Sequence, residues 1–215
     1  NKMLILCSPH NPIGRVWTRE ELEKVGRICI DNNVLVVSDE IHFDFILTGH
    51  KHTVFANISE EFAQHCIICT APSKTFNIAG LKISNIVIPN DHLRKQLLEK
   101  NQRDFASNAL GIQACRICYD DCGAWKDEML CMIEYNYQQV KKFVEEKLPQ
   151  IKVIELQGTY LLWLDCTALG LSDEELEKLT LGADLYLDEG YLFGPGGSGF
   201  ERINLACPTR YLMAA

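Results

Sequence analysis

Short apolar runs alternate with stretches of helical spacing along the first half of the chain. The runs at residues 2–9 and 33–41 consist mainly of aliphatic residues, and both end in polar residues. The stretch between them opens with Thr18, a residue type that commonly caps a helix. Its apolar residues recur at helical spacing: Leu22, Val25, Ile28 and Cys29. This order of strand, helix and strand predicts an α/β fold.

Two more continuous apolar runs follow, at residues 65–72 and 82–89. Runs without polar alternation are typical of strands that are buried on both faces of a mostly parallel sheet. Beyond them the spacing becomes helical over residues 91–121 and 124–148. We therefore expect a mostly parallel sheet with helices, followed by long helical segments.

The last part of the chain contains a second set of elements. Residues 151–165 and 201–208 are predicted strands, and residues 172–179 are a predicted helix. A glycine-rich loop, residues 194–199, precedes the last strand. The chain shows neither an internal repeat nor a low-complexity linker. This part is therefore predicted to form a smaller α+β region.

The composition is that of a globular protein. With 215 residues, of which 47% are hydrophobic and 23% are charged, the chain can bury a sizeable core. The net charge of −8 and the lack of a lysine- and arginine-rich block argue against a nucleic-acid-binding surface. No apolar run approaches the roughly 18 residues of a membrane span, and the apolar start is too short for a signal peptide. We predict a cytoplasmic protein without a membrane or nucleic-acid partner.

Ten cysteines are spread through the chain, several of them inside apolar runs, which favours buried thiols over disulfides. Two pairs have the CxxC spacing of a metal site, Cys66 with Cys69 and Cys115 with Cys118. Residues three apart in a strand point to opposite faces, so Cys66 and Cys69 cannot chelate one ion if they lie on a strand. We therefore predict no metal site. The histidines of one polar loop are expected to be solvated: His50 and His52.

Polar side chains follow each of the first three predicted strands. They comprise a carboxamide, a carboxylate, an imidazole and an amine: Asn11, Asp39, His42 and Lys74. In open α/β sheets, ligands bind beyond the carboxyl ends of the strands. An amine near a carboxylate and an amide suits carbonyl chemistry through a Schiff base. Taken singly, each residue could belong to an ordinary turn or loop, and the neighbouring Glu40 is expected to be structural, but the combination predicts a site.

Four ordered segments carry a resemblance to a known family: "SPHNPIGRVW", "VVSDEIHFDF", "TAPSKTFNIAGLK" and "RINLACP". Together they resemble the pyridoxal 5′-phosphate (PLP)-dependent enzymes of aminotransferase class I/II, which have fold type I. The residues of these segments are most similar to the cystathionine β-lyase (MalY/PatB-type C–S lyase) branch. The resemblance spans most of the chain, so it is far more specific than any single motif.

The resemblance implies a division of the chain. Residues 1–105 would be the C-terminal half of the PLP-binding large domain, residues 106–145 connecting helices, and residues 146–215 the small C-terminal domain. Relatives run to nearly twice this length, so we expect a fragment that lacks the N-terminal part, with an uncovered apolar face and an open sheet edge. The full-length protein is expected to be a homodimer that binds a small amino acid substrate.

The resemblance also implies roles for the strand-end residues. Lys74 would be the catalytic residue, bonded to the cofactor aldehyde in a desolvated, cation-rich pocket and acting as a base once substrate displaces it. Asp39 would face the pyridine nitrogen and Asn11 the phenolic oxygen of the cofactor. His42 stands where many relatives have a tyrosine that reaches this oxygen, so it would bond the oxygen directly, stack on the cofactor or act indirectly.

Three further residues receive roles by the same resemblance. Ser73 and Lys82 would bind the cofactor phosphate; relatives often have arginine at the position of Lys82. Arg202 would bind the substrate α-carboxylate through its planar, two-pronged guanidinium. The alternative interpretation of Arg202 is an ion pair with Glu201 or Asp188.

The predicted function is therefore that of a PLP-dependent β-lyase that converts cystathionine, or a related S-substituted cysteine, to a thiol, pyruvate and ammonia. An amino acid aminotransferase is the alternative, because the same Lys74 would serve both reactions. A non-catalytic fragment or regulatory module is the third possibility.

Overall fold

The computed structural model describes residues 2–100 and 108–215. Within it the chain divides into two compact units. Unit 1 comprises Asn1–Pro9 and Val16–Lys126, and unit 2 comprises His10–Arg15 and Asp127–Ala215. The predicted three-part division stays a prediction, and its boundary after residue 105 lies outside the described residues.

Unit 1 is built on a four-stranded sheet with the order β1-β2-β3-β4. Its strands are β1 (Met3–Cys7), β2 (Leu35–Asp39), β3 (Cys66–Thr70) and β4 (Asn85–Val87). The first three are parallel and β4 pairs antiparallel with β3. The α/β prediction and the first three strands are thereby confirmed.

The α-helices of unit 1 follow the chain order α1 (Arg19–Asp31), α2 (Glu60–Gln64), α3 (Pro72–Thr75), α4 (Asp91–Lys100) and α5 (Ala109–Asp121). The next helix, α6 (Gly123–Lys147), belongs to unit 1 up to Lys126 and to unit 2 from Asp127. Two 3₁₀ turns, Phe55–Asn57 and Ala79–Leu81, complete the unit.

Helix α1 begins at the predicted cap. The Thr18 hydroxyl accepts a hydrogen bond from the Glu21 N–H at 3.2 Å, and the Glu21 carboxylate accepts one from the Thr18 N–H at 3.0 Å. This reciprocal pair satisfies backbone donors that a helix N-terminus otherwise leaves unpaired. The apolar face of α1 then packs with one face of the sheet and with two phenylalanines, in a core that includes Leu22, Val36, Phe55, Phe62 and Cys66.

The other face of strand β1 is not buried, contrary to the expectation of strands covered on both sides. Met3 is 52% exposed and Ile5 is 67% exposed, whereas Leu6 is 8% exposed. Alternate residues of a strand face opposite sides, and α1 packs on the side of Leu6. The exposed pair matches the expectation of an uncovered apolar face at an open edge. On β4, Ile86 and Val87 are also about half exposed.

Unit 2 contains a second, antiparallel sheet with the order β5-β6-β8-β7. Its strands are β5 (Lys152–Val153), β6 (Leu161–Asp165), β7 (Asp188–Glu189) and β8 (Phe200–Asn204). The unit also holds α7 (Asp173–Gly182) and α8 (Thr209–Leu212). Three 3₁₀ turns link these elements: Thr167–Leu169, Gly190–Phe193 and Pro195–Gly197.

The single strand predicted over residues 151–165 is interrupted in the structure. The N–H groups of Gln157 and Gly158 both donate to the Gly14 carbonyl at 2.9 Å, and Thr159 has a left-handed φ of 68°. These residues therefore leave the strand to bind the loop His10–Arg15. Gly14 has a φ of 73° and contacts the Leu156 side chain where a Cβ would lie, so this position requires glycine.

A buried asparagine holds the C-terminal segment of unit 2 to α6. The Asn136 amide group donates to the Leu205 and Cys207 carbonyls, each at 2.9 Å. Its Oδ1 accepts from the Thr209 hydroxyl at 2.7 Å. All three contacts are made by one fully buried side chain, which satisfies its polar atoms.

Glu201 is a buried carboxylate on the inner face of β8. It is 2% exposed, and its Oε2 has no hydrogen-bond partner among the residues that the structure describes. Burial, the largest cause, and the negative charges of four neighbours together raise its pKa from 4.5 to about 7: Glu189, Glu177, Asp173 and Asp188. A large fraction of this carboxyl is therefore still protonated in the folded protein at neutral pH.

This pKa predicts that Glu201→Gln stabilises the protein at alkaline pH. Below pH 4.5 the carboxyl is protonated in both the folded and unfolded states, so it has no pH-dependent effect. Between pH 4.5 and about 7 the unfolded chain loses the proton first, so the folded protein loses stability as pH rises. We expect the glutamine variant to raise the free energy of unfolding by about 2 to 3 kcal/mol at pH 8, as measured by urea unfolding.

The increase in the free energy of unfolding of Glu201→Gln should shrink towards zero as the pH is lowered to 4.5. The exposed Glu128→Gln, beyond the first turn of α6, is the matched control and should leave stability unchanged at both pH values. An equal gain for Glu201→Gln at pH 5 and pH 8 would show that packing, and not ionisation, causes the effect.

Among the described residues, no helix combines the length and the apolar character needed to cross a membrane.

Candidate functional site

Asp39 is the last residue of β2 and lies between the ends of the two neighbouring parallel strands. It is in register with Cys7 on one side and Cys69 on the other. Its carbonyl accepts from the Ser8 N–H at 2.9 Å, and its Oδ1 accepts from the Ile41 N–H at 3.2 Å. The carboxylate is thereby fixed at the carboxyl edge of the sheet, where α/β proteins bind ligands.

Lys74 lies on the short helix α3, which begins directly after β3. Pro72 occupies the first helical position, for which its fixed φ is suited. The next residue, Thr75, is fully buried, and its hydroxyl donates to Asp44 Oδ2 at 2.7 Å. This hydrogen bond anchors α3 to the segment that follows β2.

Lys74 is an exposed residue, which differs from the desolvated pocket expected for it. The reason is geometric, because successive residues on a helix point about 100° apart. Because Thr75 points into unit 1, the neighbouring Lys74 points in a different direction. Within the described residues, Lys74 is therefore open to solvent.

An aromatic group packs against the same helix. The Phe76 ring lies edge-on to Tyr119, with centroids 5.4 Å apart, and is 6.0 Å from Trp125. Phe43 stacks on the other side of Tyr119 at 6.4 Å. Burial raises the pKa of the Tyr119 hydroxyl, and the Asp44 charge raises it further. These contacts join α5 to the Lys74 segment, and no local sequence signal predicts them.

His42 is 3% exposed, and its ring centroid lies 5.9 Å from that of Phe45. The sequence places it three residues after Asp39, in the turn that follows β2. The role of His42 stays a prediction, with a direct bond to the cofactor, stacking and indirect support as the alternatives.

The expectation that His52 is solvated was wrong, and the expectation that Glu40 has a structural role is confirmed. Glu40 is 1% exposed, and its carboxylate accepts from the Ser38 hydroxyl at 2.9 Å and the Phe55 N–H at 3.0 Å. His52 Nε2 lies 2.9 Å from its other oxygen, and the His52 side chain is only 9% exposed. The loop histidine is thus bound by a buried carboxylate that has to be paired.

The two residues predicted to bind phosphate lie after β3. Ser73 is half-buried on α3, and its carbonyl accepts from the Ile78 N–H at 3.2 Å. Lys82 is exposed and has a left-handed φ of 50° at the end of the turn Ala79–Leu81. Asn108, the cap of α5, donates to the Leu81 carbonyl at 2.7 Å and so fixes the backbone beside Lys82.

Arg202 and Asn11 contact each other within unit 2. Arg202 Nη1 donates to Asn11 Oδ1 at 2.7 Å. Asp188 Oδ2 accepts from Arg202 Nη2 at 2.6 Å and from Nε at 3.2 Å. The Phe193 ring lies 4.6 Å from the guanidinium carbon. The ion pair considered as the alternative for Arg202 is therefore present with Asp188, whereas Glu201, the preceding residue in the strand, faces the other way.

The cysteines supply no preformed metal site in the part of the chain that the structure describes. There, no three histidine, cysteine, aspartate or glutamate side chains are placed to hold an ion, and all ten cysteines are free thiols. Burial raises the pKa of the Cys66 thiol to about 12.

Comparison with known proteins decides the family. Residues 1–214, nearly the whole chain, match the family model described as aminotransferase class I and II. The chain belongs to this family. The fold type I architecture expected from the motifs is thereby confirmed.

Relatives within the family include C–S lyases. The chain is 45% identical over 208 residues to cystathionine β-lyase PatB of Bacillus subtilis, covering 95% of this chain and 54% of PatB. The crystal structure of cystalysin from Treponema denticola, which contains PLP, superposes with a TM-score of 0.96 at 45% identity, over 100% of this chain and 55% of cystalysin. A PLP-bound C–S lyase from Staphylococcus hominis, in complex with L-cycloserine, superposes with a TM-score of 0.90 at 32% identity, over 99% and 52%. The chain thus spans about half the length of the relatives it matches.

Proposed function

We propose that the full-length protein is a PLP-dependent C–S β-lyase that acts on cystathionine or a related S-substituted cysteine. The observation that carries this proposal is the 45% identity to a cystathionine β-lyase across 95% of the chain. The side chains of unit 1 support the assignment of PLP as the cofactor. Those of unit 2 support an amino acid as the substrate.

The side chains of unit 1 suit PLP. The Lys74 amine can bond the cofactor aldehyde, and the Asp39 carboxylate can pair with the ring nitrogen. The Ser73 hydroxyl and the Lys82 ammonium can bind the phosphate, although lysine lacks the two-pronged geometry of arginine. Asp39 ends β2 and Lys74 follows the neighbouring parallel strand β3. The Thr75 hydrogen bond fixes the helix that carries both Ser73 and Lys74.

When bound, PLP supplies an electron sink for breaking bonds next to the substrate amino group. Asp39 would keep a proton on the pyridine nitrogen, because its carboxylate is held at the strand end by the Ile41 N–H. Lys74 Nζ would remove the proton from the substrate Cα. His42, buried beside Phe45, would support the cofactor ring.

The residues of unit 2 would recognise the amino acid. Arg202 would bind the substrate α-carboxylate, for which a guanidinium is the preferred partner. Asn11, already bonded to Arg202 through Oδ1, would donate from its amide nitrogen to the phenolic oxygen of the cofactor.

The overall reaction consumes one water. The Cα–H and Cβ–S bonds of the substrate break, and the sulfur takes up a proton and leaves as a thiol. The remaining three-carbon unit takes up water and leaves as pyruvate and ammonia. An aminotransferase would instead retain the amino group for a keto acid, and the family match, described as aminotransferase, favours this as the second candidate.

Incubation of the full-length protein with PLP and L-cystathionine distinguishes the two reactions. We expect pyruvate to form without any added keto acid, measured with a lactate dehydrogenase-coupled assay. Turnover that requires 2-oxoglutarate would overturn the lyase proposal in favour of the aminotransferase. Absence of both reactions would indicate a non-catalytic module.

The remaining expectations concern the whole protein. We propose that it acts as a homodimer in the cytoplasm, on a small amino acid substrate. The support is the family match and the open apolar edge of unit 1, where Met3 and Ile5 are exposed.

A further inference from the structure

The guanidinium of Arg202 is held from three directions in unit 2. Its Nε and Nη2 donate to Asp188 Oδ2, its Nη1 donates to Asn11 Oδ1, and the Phe193 ring covers one face. The Arg202 side chain is 14% exposed, whereas that of Asp188 is 49% exposed. Arg202 is thus a nearly buried cation whose counter-ion lies at the surface.

The strands set this arrangement. Asp188 on β7 and Trp163 on β6 are the cross-strand neighbours of Arg202 on β8. The Trp163 ring supports Phe193 edge-on, with centroids 5.6 Å apart, and stacks on Phe200 at 5.4 Å. An aromatic wall therefore fixes the plane of the guanidinium, and cross-strand pairing fixes the position of its counter-ion.

A guanidinium has five N–H groups, and the hydrogen bonds to Asp188 and Asn11 use three of them. Among the described residues, one N–H on Nη1 and one on Nη2 remain outside these hydrogen bonds. Two such groups match the two oxygens of a carboxylate. The ion pair with Asp188 therefore leaves Arg202 able to bind a second carboxylate.

We propose that Asp188 is a positioning residue for substrate recognition: it orients Arg202 so that Nη1 and Nη2 are presented to the carboxylate of an amino acid. The inference rests on the proposed role of Arg202. A long, flexible arginine loses rotamer freedom on binding a ligand, and a side chain that is fixed beforehand avoids this cost. Asp188 makes this contribution through Arg202 and touches no substrate.

A resident carboxylate also has an opposing effect, because it competes with an incoming carboxylate for the same cation. The geometry favours positioning. Asp188 occupies the edge formed by Nε and one N–H of Nη2, which leaves the second N–H of Nη2 for a ligand. Its carboxylate is half exposed, so solvent screens its repulsion of a ligand.

The test uses 3-(methylthio)propanoate, which has the carboxylate and thioether of an S-alkyl cysteine but no amino group to react with the cofactor. Its binding to the full-length protein with PLP is measured by titration calorimetry. We expect Asp188→Ala to raise its dissociation constant about tenfold through loss of preorganisation. Asp188→Asn, which retains an oxygen at the same position, should restore most of the affinity. Glu174→Ala, an exposed change on α7, is the control.

Kinetics with L-cystathionine provide a second measurement. Asp188→Ala should lower kcat/KM about tenfold, mainly through KM, since the bond-breaking groups are elsewhere. An unchanged dissociation constant in Asp188→Ala, tighter binding, or failure of Asp188→Asn to restore affinity would overturn the proposal. Because the probe needs no turnover, these outcomes remain separate from a failure of the lyase assay.

Discussion

Replacement of Lys74 by alanine should abolish the covalent attachment of PLP and lower β-lyase turnover at least about a thousandfold. General-base catalysis by one side chain contributes about 10²- to 10⁴-fold, and Lys74 would supply both the base and the covalent link. The measurement is borohydride reduction of the full-length protein followed by peptide mass spectrometry. In the wild type, reduction should leave PLP attached, as a stable label, to the peptide that contains residue 74.

The fold should survive this change, because Lys74 is exposed and the anchoring hydrogen bond of α3 is made by Thr75. Lys95→Ala on α4, also an exposed lysine, is the matched control and should retain both label and turnover. Label found on a different lysine, or unchanged turnover in Lys74→Ala, would refute the assignment.

Replacement of Asp39 by asparagine should lower turnover about 10- to 100-fold and weaken PLP binding. A hydrogen bond to a charged group contributes about 1.5 to 3 kcal/mol, which corresponds to a loss of this size. Asparagine is more informative than alanine here, because its Oδ1 can still accept from the Ile41 N–H. The change therefore removes the charge and keeps the turn. The measurements are kcat with L-cystathionine and the dissociation constant of PLP.

Asp39→Glu should retain more activity than Asp39→Asn, since it keeps the carboxylate. Asp31→Asn, at the exposed end of α1, should have no effect. If Asp39→Asn turns over at a near-normal rate, Asp39 is an ordinary loop acid, and the proton on the pyridine nitrogen must be held by another group.

The spacing of apolar residues along the chain is the reason why part of the fold can be predicted from the sequence. Helix α1 and strands β1, β2 and β3 form where the spacing of apolar residues predicts them. Parallel strands joined by crossovers end at one sheet edge, so the positions of Asp39 and Lys74 after adjacent strands also follow from the order of elements. Family membership was predictable for the same reason, because its motifs lie at these strand ends.

Local pattern failed where the outcome depends on what covers an element. The apolar run of β1 does not show which face α1 will bury, and Met3 and Ile5 lie on the other side. The run over residues 151–165 reads as continuous, but hydrogen bonds to Gly14 interrupt it. His52 lies in a polar stretch of sequence, yet Glu40 binds it beneath the surface.

By itself, then, the sequence determined the α/β class, the order of the first strands, the candidate lysine and carboxylate, and the family. Only the tertiary structure decided that Thr75 anchors α3 to Asp44 and that Asp188, Asn11 and Phe193 hold Arg202. The physical reason is the range of the interactions. Helical and strand periodicity are properties of neighbouring residues, whereas the bonds of Arg202 join residues 14 and 191 positions apart. Such pairs form only once the backbone has brought their side chains together.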